Sequence, residues 1–308
     1  MTGHFRQPKI NKIVIYVYNP PVLCLEHICK LAQEGFFVLD ELFTPEECDE
    51  MIDAAYQLSI SLTNTEESKT VFSTNEEQQL NDAYFMESND KISAFFEDKA
   101  LDSDGNLTVE PRMALNKIGH ALHLLHPIFR CYTYCHRVKS VCSALGLLDP
   151  AVVQSMFIFK NPGVVVAHQD ASYLYTVPIP PVGFWVALED ATIENGCLWI
   201  ASGSHKSGLH RRLYRTVGSD GKVKLVYDVP APVYPESNFI PIPVKKGTCI
   251  VLHGLVVHKS AENKSAKSRP AYTFHVIEKK NNRFSEGNWL QEGQNAPFYN
   301  MYRTHQLM

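Results

Sequence analysis

The sequence has no excess of positive charge, no long apolar run and no paired cysteine spacing, and each absence removes a class of protein. Lys and Arg number 29 against 33 Asp and Glu, for a formal net charge of -4. A protein that binds nucleic acid by neutralising phosphates is expected to be basic, so that class is disfavoured. No run of ~18 apolar residues is present, so no membrane-spanning helix is expected. The nearest approach to a secretory core, Ile13 to Tyr18, is short and ends at Asn19-Pro20-Pro21. The final His305-Gln306-Leu307-Met308 is not a Ser-Lys-Leu peroxisomal address. Eight cysteines without a secretory signal point to free thiols in a reducing compartment, and so to a cytoplasmic protein. The sequons at Asn106 and Asn263 are then chance matches. A hydrolase has little support, because no Gly-x-Ser-x-Gly elbow occurs and Ser204 and His205 are mere neighbours in sequence. No internal repeat or low-complexity segment is evident.

What is present is ordinary globular composition, with 45% hydrophobic and 20% charged residues. Eighteen prolines and sixteen glycines suggest many short connections. Residues 1–25 read as a leader of low structural content, and 26–308 as one domain. A helix is expected over 25–34, stopped by Gly35, then a strand over Phe36 to Leu39. Pro45 suits a first helical position, and Thr44 with Glu47 has capping-box spacing, which predicts a helix over 46–61. Residues 62–82 read as a polar loop, with a short helix capped by Ser73 or Thr74. Asp102 to Asn106 reads as a tight turn between two strands rather than a calcium loop, because Leu107 and Met113 stand where an EF-hand needs Gly and Glu. Asn116 to Tyr134 has helical apolar spacing with a break at Pro127, and Cys131 and Cys135 read as core thiols. From Ala151 onward short β-rich runs alternate with Gly, Pro and Asn turns, and Glu194-Asn195-Gly196 is a hairpin signal. The expected architecture is mainly β: a double-stranded β-helix (jelly roll) with helices from the N-terminal half packed on it.

The chemistry is carried by Val165 to Ser172. Residues two apart on a strand share a face, so His168 and Asp170 project together and Gln169 points away. A neutral imidazole beside a carboxylate offers two cis ligands to a divalent cation, and two His with one carboxylate is the non-haem Fe(II) arrangement. His258, at the end of an apolar run, is preferred over His253 as the third ligand. Eleven residues later comes Arg269. A hairpin of that length would return the next strand beside His258 and point Arg269 inward with Ala271 and Thr273. Its guanidinium can hold a carboxylate through two parallel hydrogen bonds, which is what an iron-bound 2-oxo acid needs at its far end. Arg211 and Arg212 can be read either as a phosphate contact or as a solvated pair.

Several further stretches carry a resemblance. They are Gly35 to Val38, Asn116 to His123, Gln154 to Lys160, His168 to Tyr175, Glu194 to Trp199, Gly203 to Gly208 and Tyr272 to His275. Across about Gly35 to Leu290 the chain resembles the phytanoyl-CoA dioxygenase family of Fe(II)/2-oxoglutarate oxygenases. The resemblance implies His168, Asp170 and His258 as iron ligands. It implies Lys117, Met156, Gln169, Trp185, Ser260 and Arg269 as positions contacting 2-oxoglutarate. The connection from Asn161 to Ala167 is shorter than the family pattern. The expected activity is oxidative decarboxylation of 2-oxoglutarate to succinate, coupled to hydroxylation of a small-molecule substrate. An acyl-CoA is the class the family suggests. The alternative is a non-catalytic jelly-roll binding module with a vestigial metal site.

Overall fold

The computed structural model describes residues 23–63, 83–97, 100–102, 106–218 and 221–306. Most of the expected leader lies outside them, as do residues 64–82 with their expected short helix. Helix α1 (Leu25–Glu34) ends where Gly35 turns left-handed at φ 86°, and its backbone N–H caps Leu31 O. Strand β1 (Phe36–Leu39) follows, then α2 (Pro45–Thr63). The capping box forms as its spacing predicts: Thr44 Oγ1 accepts Glu47 N at 3.2 Å and Glu47 accepts Thr44 N at 2.9 Å. The same Glu47 takes a 2.6 Å ion pair from Arg137, which joins the start of α2 to another helix.

Seven strands form an all-antiparallel major sheet: β1, β2 (Ile92–Phe96), β3 (Leu115–His120), β4 (Pro150–Ile158), β7 (Val182–Ala187), β12 (Cys249–His253) and β14 (Ala271–Glu278). Their order is β1-β12-β7-β14-β4-β3-β2. A minor sheet has the order β11 (Ile240–Ile242), β8 (Leu198–Ala201), β13 (Val257–Ser260) and β5 (Val165–His168). Two ribbons complete the strands, β6 (Thr176–Val177) with β15 (Arg283–Phe284) and β9 (Leu213–Val217) with β10 (Val223–Tyr227).

Alternation along the central strands of the major sheet gives them two apolar faces. Phe184, Val186, Val251, Tyr272 and Phe274 pack under α2 and the helix α4 described below, through Met51, Ala55 and Phe129. The intervening positions Trp185, Ala187, Ile250, Leu252 and Ala271 face the minor sheet and meet Leu198 and Ile200. A sheet covered on both sides needs apolar residues at successive positions, which is why these strands read as continuous runs. The result is the mainly β jelly roll with helices packed on it.

Four expectations are corrected. The segment from Asn116 is not helical at its start. It forms β3, paired to β4 at Lys117–Ile158 and Ile118–Phe157, before the short helices α3 (Leu122–Leu125) and α4 (Pro127–Thr133). Ladder pairing in a buried sheet overrides the helical spacing of its apolar residues. Cys131 and Cys135 are not core thiols: the first is exposed and the second half-buried, although all eight cysteines are free. The centre of the expected tight turn, residues 103–105, lies outside the described residues; beside it Asp102 Oδ1 accepts Asn106 N at 2.8 Å, and a single Leu101–Leu107 bridge stands where two strands were expected. Glu194-Asn195-Gly196 closes no hairpin, because β7 and β8 belong to different sheets; the turn carries the chain from one to the other.

The capping box supplies a stability test. Thr44→Ala removes one of the two reciprocal bonds, and the expected loss is about 1 kcal/mol, read as a lower urea midpoint with an unchanged slope.

Candidate metal and cosubstrate site

The site begins with strand register. His258 on β13 lies opposite His168 on β5, and the two ring centroids are 4.3 Å apart. In each ring Nδ1 faces a carbonyl oxygen two residues back, Val166 at 2.8 Å and Val256 at 3.2 Å. A carbonyl only accepts, so Nδ1 carries the hydrogen and Nε2 is left bare, the state in which imidazole binds a metal. Both Nε2 atoms face Asp170 Oδ1, at 3.6 Å from His168 and 3.7 Å from His258. One donor atom from each of the three residues lies within 4.8 Å of the others. Two donors each ~2.1 Å from one cation stand at most ~4.2 Å apart, which the 3.6 and 3.7 Å separations from Asp170 Oδ1 satisfy. The residues therefore fit a divalent metal.

Asp170 is reached by extended backbone through Gln169 and then opens a 3-10 turn, Asp170–Ser172. The His168/Asp170 alternation thus survives past the end of β5. Burial works against the Asp170 carboxylate, but His275, His258 and His168 outweigh it and hold the group well below the usual carboxylate range. Burial lowers His258 to about 4, more than Asp170 raises it, so the ring is neutral at physiological pH. His275 was not singled out from sequence as a site residue. Its Nε2 sits 3.3 Å from Asp170 Oδ2, leaving Oδ1 to the triad. The signal was available, since His275 follows Ala271 and Thr273 at strand spacing on the face assigned to Arg269. Gly183 makes room here: a Cβ on it would stand 2.8 Å from Asp170 Oδ2.

His253 is excluded from the triad by its position. Its ring lies 4.9 Å from that of His205, and its Nδ1 accepts Leu255 N at 3.2 Å.

A cavity of about 650 Å³ opens from the triad, with an apolar wall that includes Phe85, Leu174, Leu213, Leu225 and Trp289. Lys117, Met156, Gln169, Trp185, Ser260 and Arg269 all line it. Arg269 does not arrive by a hairpin beside His258; β14 lies in the major sheet while β13 lies in the minor one. The connection crosses between sheets and still delivers the guanidinium inward. There Nη2 donates to Gly196 O at 2.8 Å, and the guanidinium carbon lies 5.0 Å from the Trp185 ring centroid. Its Nε and Nη1 are buried without a protein partner. Burial lowers its pKa to about 10. Lys117 is brought in by β3. Its ammonium stands 5.3 Å from the Phe95 ring centroid, and burial lowers its pKa to about 7. Gln169 plays a different part. Its amide nitrogen donates to Gly208 O and Leu255 O, and its oxygen accepts His210 N. These bonds make it a strut behind the triad. Arg211 and Arg212 are not a solvated pair, since their guanidinium carbons lie 3.3 Å and 4.4 Å from the ring centroids of Tyr227 and Tyr175.

Known proteins resemble this chain in sequence and in fold. Residues 31–271 match the family model described as Phytanoyl-CoA dioxygenase (PhyH). The chain is 45% identical over 282 residues to phytanoyl-CoA dioxygenase domain-containing protein 1 of Bos taurus, covering 89% of this chain and 96% of that one. It is 43% identical to the Caenorhabditis elegans homolog of that protein, covering 89% and 98%. Among solved structures, the α-ketoglutarate-dependent carbocyclase SnoK superposes with a TM-score of 0.60 at 14% identity, covering 90% of this chain and 96% of that one. EctD from S. alaskensis, solved with 2-oxoglutarate and 5-hydroxyectoine, gives 0.56 at 17% identity, covering 91% and 84%. At such identities the likeness is one of fold.

The triad yields a direct expectation. After reconstitution with Fe(II), His168→Ala and His258→Ala should each lose most of the metal by elemental analysis, and His253→Ala should keep it. Full occupancy in the first two variants would remove the assignment.

Proposed function

The chain belongs to the phytanoyl-CoA dioxygenase family and is an iron- and 2-oxoglutarate-dependent oxygenase, and we propose that His168, Asp170 and His258 hold its Fe(II) while Arg269 binds the far carboxylate of 2-oxoglutarate. One observation carries the reading. Two histidines with bare Nε2 atoms meet a buried carboxylate in the same cavity as a buried guanidinium whose Nε and Nη1 have no partner. A buried donor left unpaired costs ~1–3 kcal/mol, and a carboxylate ligand removes that cost. Iron with bound 2-oxoglutarate supplies the oxidation, in which dioxygen is divided between succinate, formed with loss of CO2, and a hydroxylated substrate.

The residues of the chain bind and position. Val166 and Val256 fix both imidazole tautomers through their carbonyls. His275 holds the second oxygen of Asp170. Lys117 adds a cation to the cavity, and Trp185 and Met156 wall the cosubstrate. Ser260 Oγ donates to Gly196 O at 2.8 Å, which keeps that carbonyl turned toward Arg269. The apolar wall excludes water from the reacting region and suits a small molecule with a hydrocarbon or ring portion, an acyl-CoA among the candidates. Eight free thiols suit a reducing compartment, and we place the protein in the cytosol. Among the described residues no helix is long and apolar enough to cross a membrane.

Succinate release from 2-oxoglutarate, dependent on Fe(II) and oxygen, tests the activity, and an acyl-CoA panel then tests the substrate. Binding of both ligands with no succinate formed would reassign the chain as a binding module. Losing one partner of a buried charged pair costs roughly 2–5 kcal/mol. Arg269→Ala should therefore weaken 2-oxoglutarate binding by about 30- to several-thousand-fold, measured by calorimetry on manganese-loaded protein without oxygen. Arg269→Lys should recover only part, because an ammonium cannot make two parallel bonds.

A further inference from the structure

Arg269 is not the only buried cation at its end of the cavity. Lys160, just beyond β4, is 3% exposed and lines the same space. Gly196 brings the two together. Its carbonyl accepts Arg269 Nη2, and a Cβ on it would stand 2.7 Å from Lys160 Cε. Lys160 Nζ donates to Gly163 O at 2.5 Å. Among the described residues neither Lys160 nor Arg269 forms an ion pair.

The backbone adds an independent observation. Lys160 is a non-glycine residue at φ 50°. Left-handed backbone at such a residue costs ~1–3 kcal/mol and gathers at functional sites. It is held from the segment that carries Arg269: the Lys160 carbonyl accepts Arg269 N at 3.4 Å and Asn263 Nδ2 at 2.8 Å. Two neighbouring cations withdrawn from water repel each other and lose hydration; Lys160 can shed its proton to relieve this, whereas an anion between the two offsets both costs with the proton kept.

We propose that Lys160 is the second cation of the distal-carboxylate pocket, so that 2-oxoglutarate is held between Lys160 and Arg269 and dicarboxylic 2-oxo acids are selected over monocarboxylic ones. The inference rests on the oxygenase reading above. It has a protonic consequence. Burial, then the charge of Arg269, lowers Lys160 to about 7, against the opposing pull of Glu97 and Glu262. Above pH 7 the free amine is mostly neutral. A bound carboxylate raises its pKa, so binding takes up a proton. Lys117, also lowered to about 7, contributes its own share.

The test is calorimetry on the full-length, manganese-loaded protein without oxygen at pH 8. Two buffers of different ionisation enthalpy are used, with 2-oxoglutarate and with 2-oxobutanoate, which lacks the distal carboxylate. Lys160→Met should weaken 2-oxoglutarate by about 10- to 100-fold, leave 2-oxobutanoate within about twofold of wild type, and reduce proton uptake. Lys160→Arg should keep most of the affinity and show the same reduced uptake, because arginine stays protonated. Undiminished affinity and uptake in Lys160→Met overturns the proposal, and so does an equal loss of both acids. If Lys160→Met does not fold, undiminished uptake in Lys160→Arg overturns it. A wild-type protein that binds neither acid sinks the oxygenase reading itself, an outcome distinct from the others.

Discussion

Everything at the candidate site depends on two hydrogen bonds from imidazole to backbone. His168 and His258 each spend their Nδ1 hydrogen on a carbonyl of their own strand, two residues back. That choice decides which nitrogen remains basic and where it points. The pairing of β5 with β13 then sets the two bare nitrogens side by side. Asp170 needs no strand of its own to complete the set, since one extended residue past β5 is enough.

Burial gives this geometry its chemical consequences. The same withdrawal from water that keeps His258 neutral makes Lys117, Lys160 and Arg269 reluctant cations. A pocket that holds positive charge at such cost is selective for the ligand that repays it. The apolar wall from Phe85 to Trp289 contributes by denying water as a substitute.

Local signals in the sequence proved sound where the structure is local. The capping box at Thr44 and Glu47, the stop at Gly35 and the shared face of His168 and Asp170 all rest on short-range geometry. The jelly roll was legible because short β-rich runs alternate with turn residues. What failed was long-range assignment. Residues 115–120 carry apolar spacing that suits a helix, and only pairing with β4 and β2 makes them a strand. The turns at 194–196 and after His258 looked like hairpins because nothing in a turn tells whether its strands share a sheet or face across two. His275 was legible by alternation but hidden among thirteen histidines. Lys160 had no local mark, because its backbone strain and its neighbour Gly196 exist only in the folded chain.

The carbonyl of Gly196 serves Ser260 and Arg269 at once, while its missing side chain leaves the space that Lys160 fills. Residues 160, 196, 260 and 269 are therefore not free to drift separately over evolutionary time. A methyl group at 196 displaces a lysine far away in the chain, and it also meets the Ala261 carbonyl at 2.7 Å. Lineages that keep this pocket should inherit the four positions as a block, and those that lose one should be released from keeping the rest.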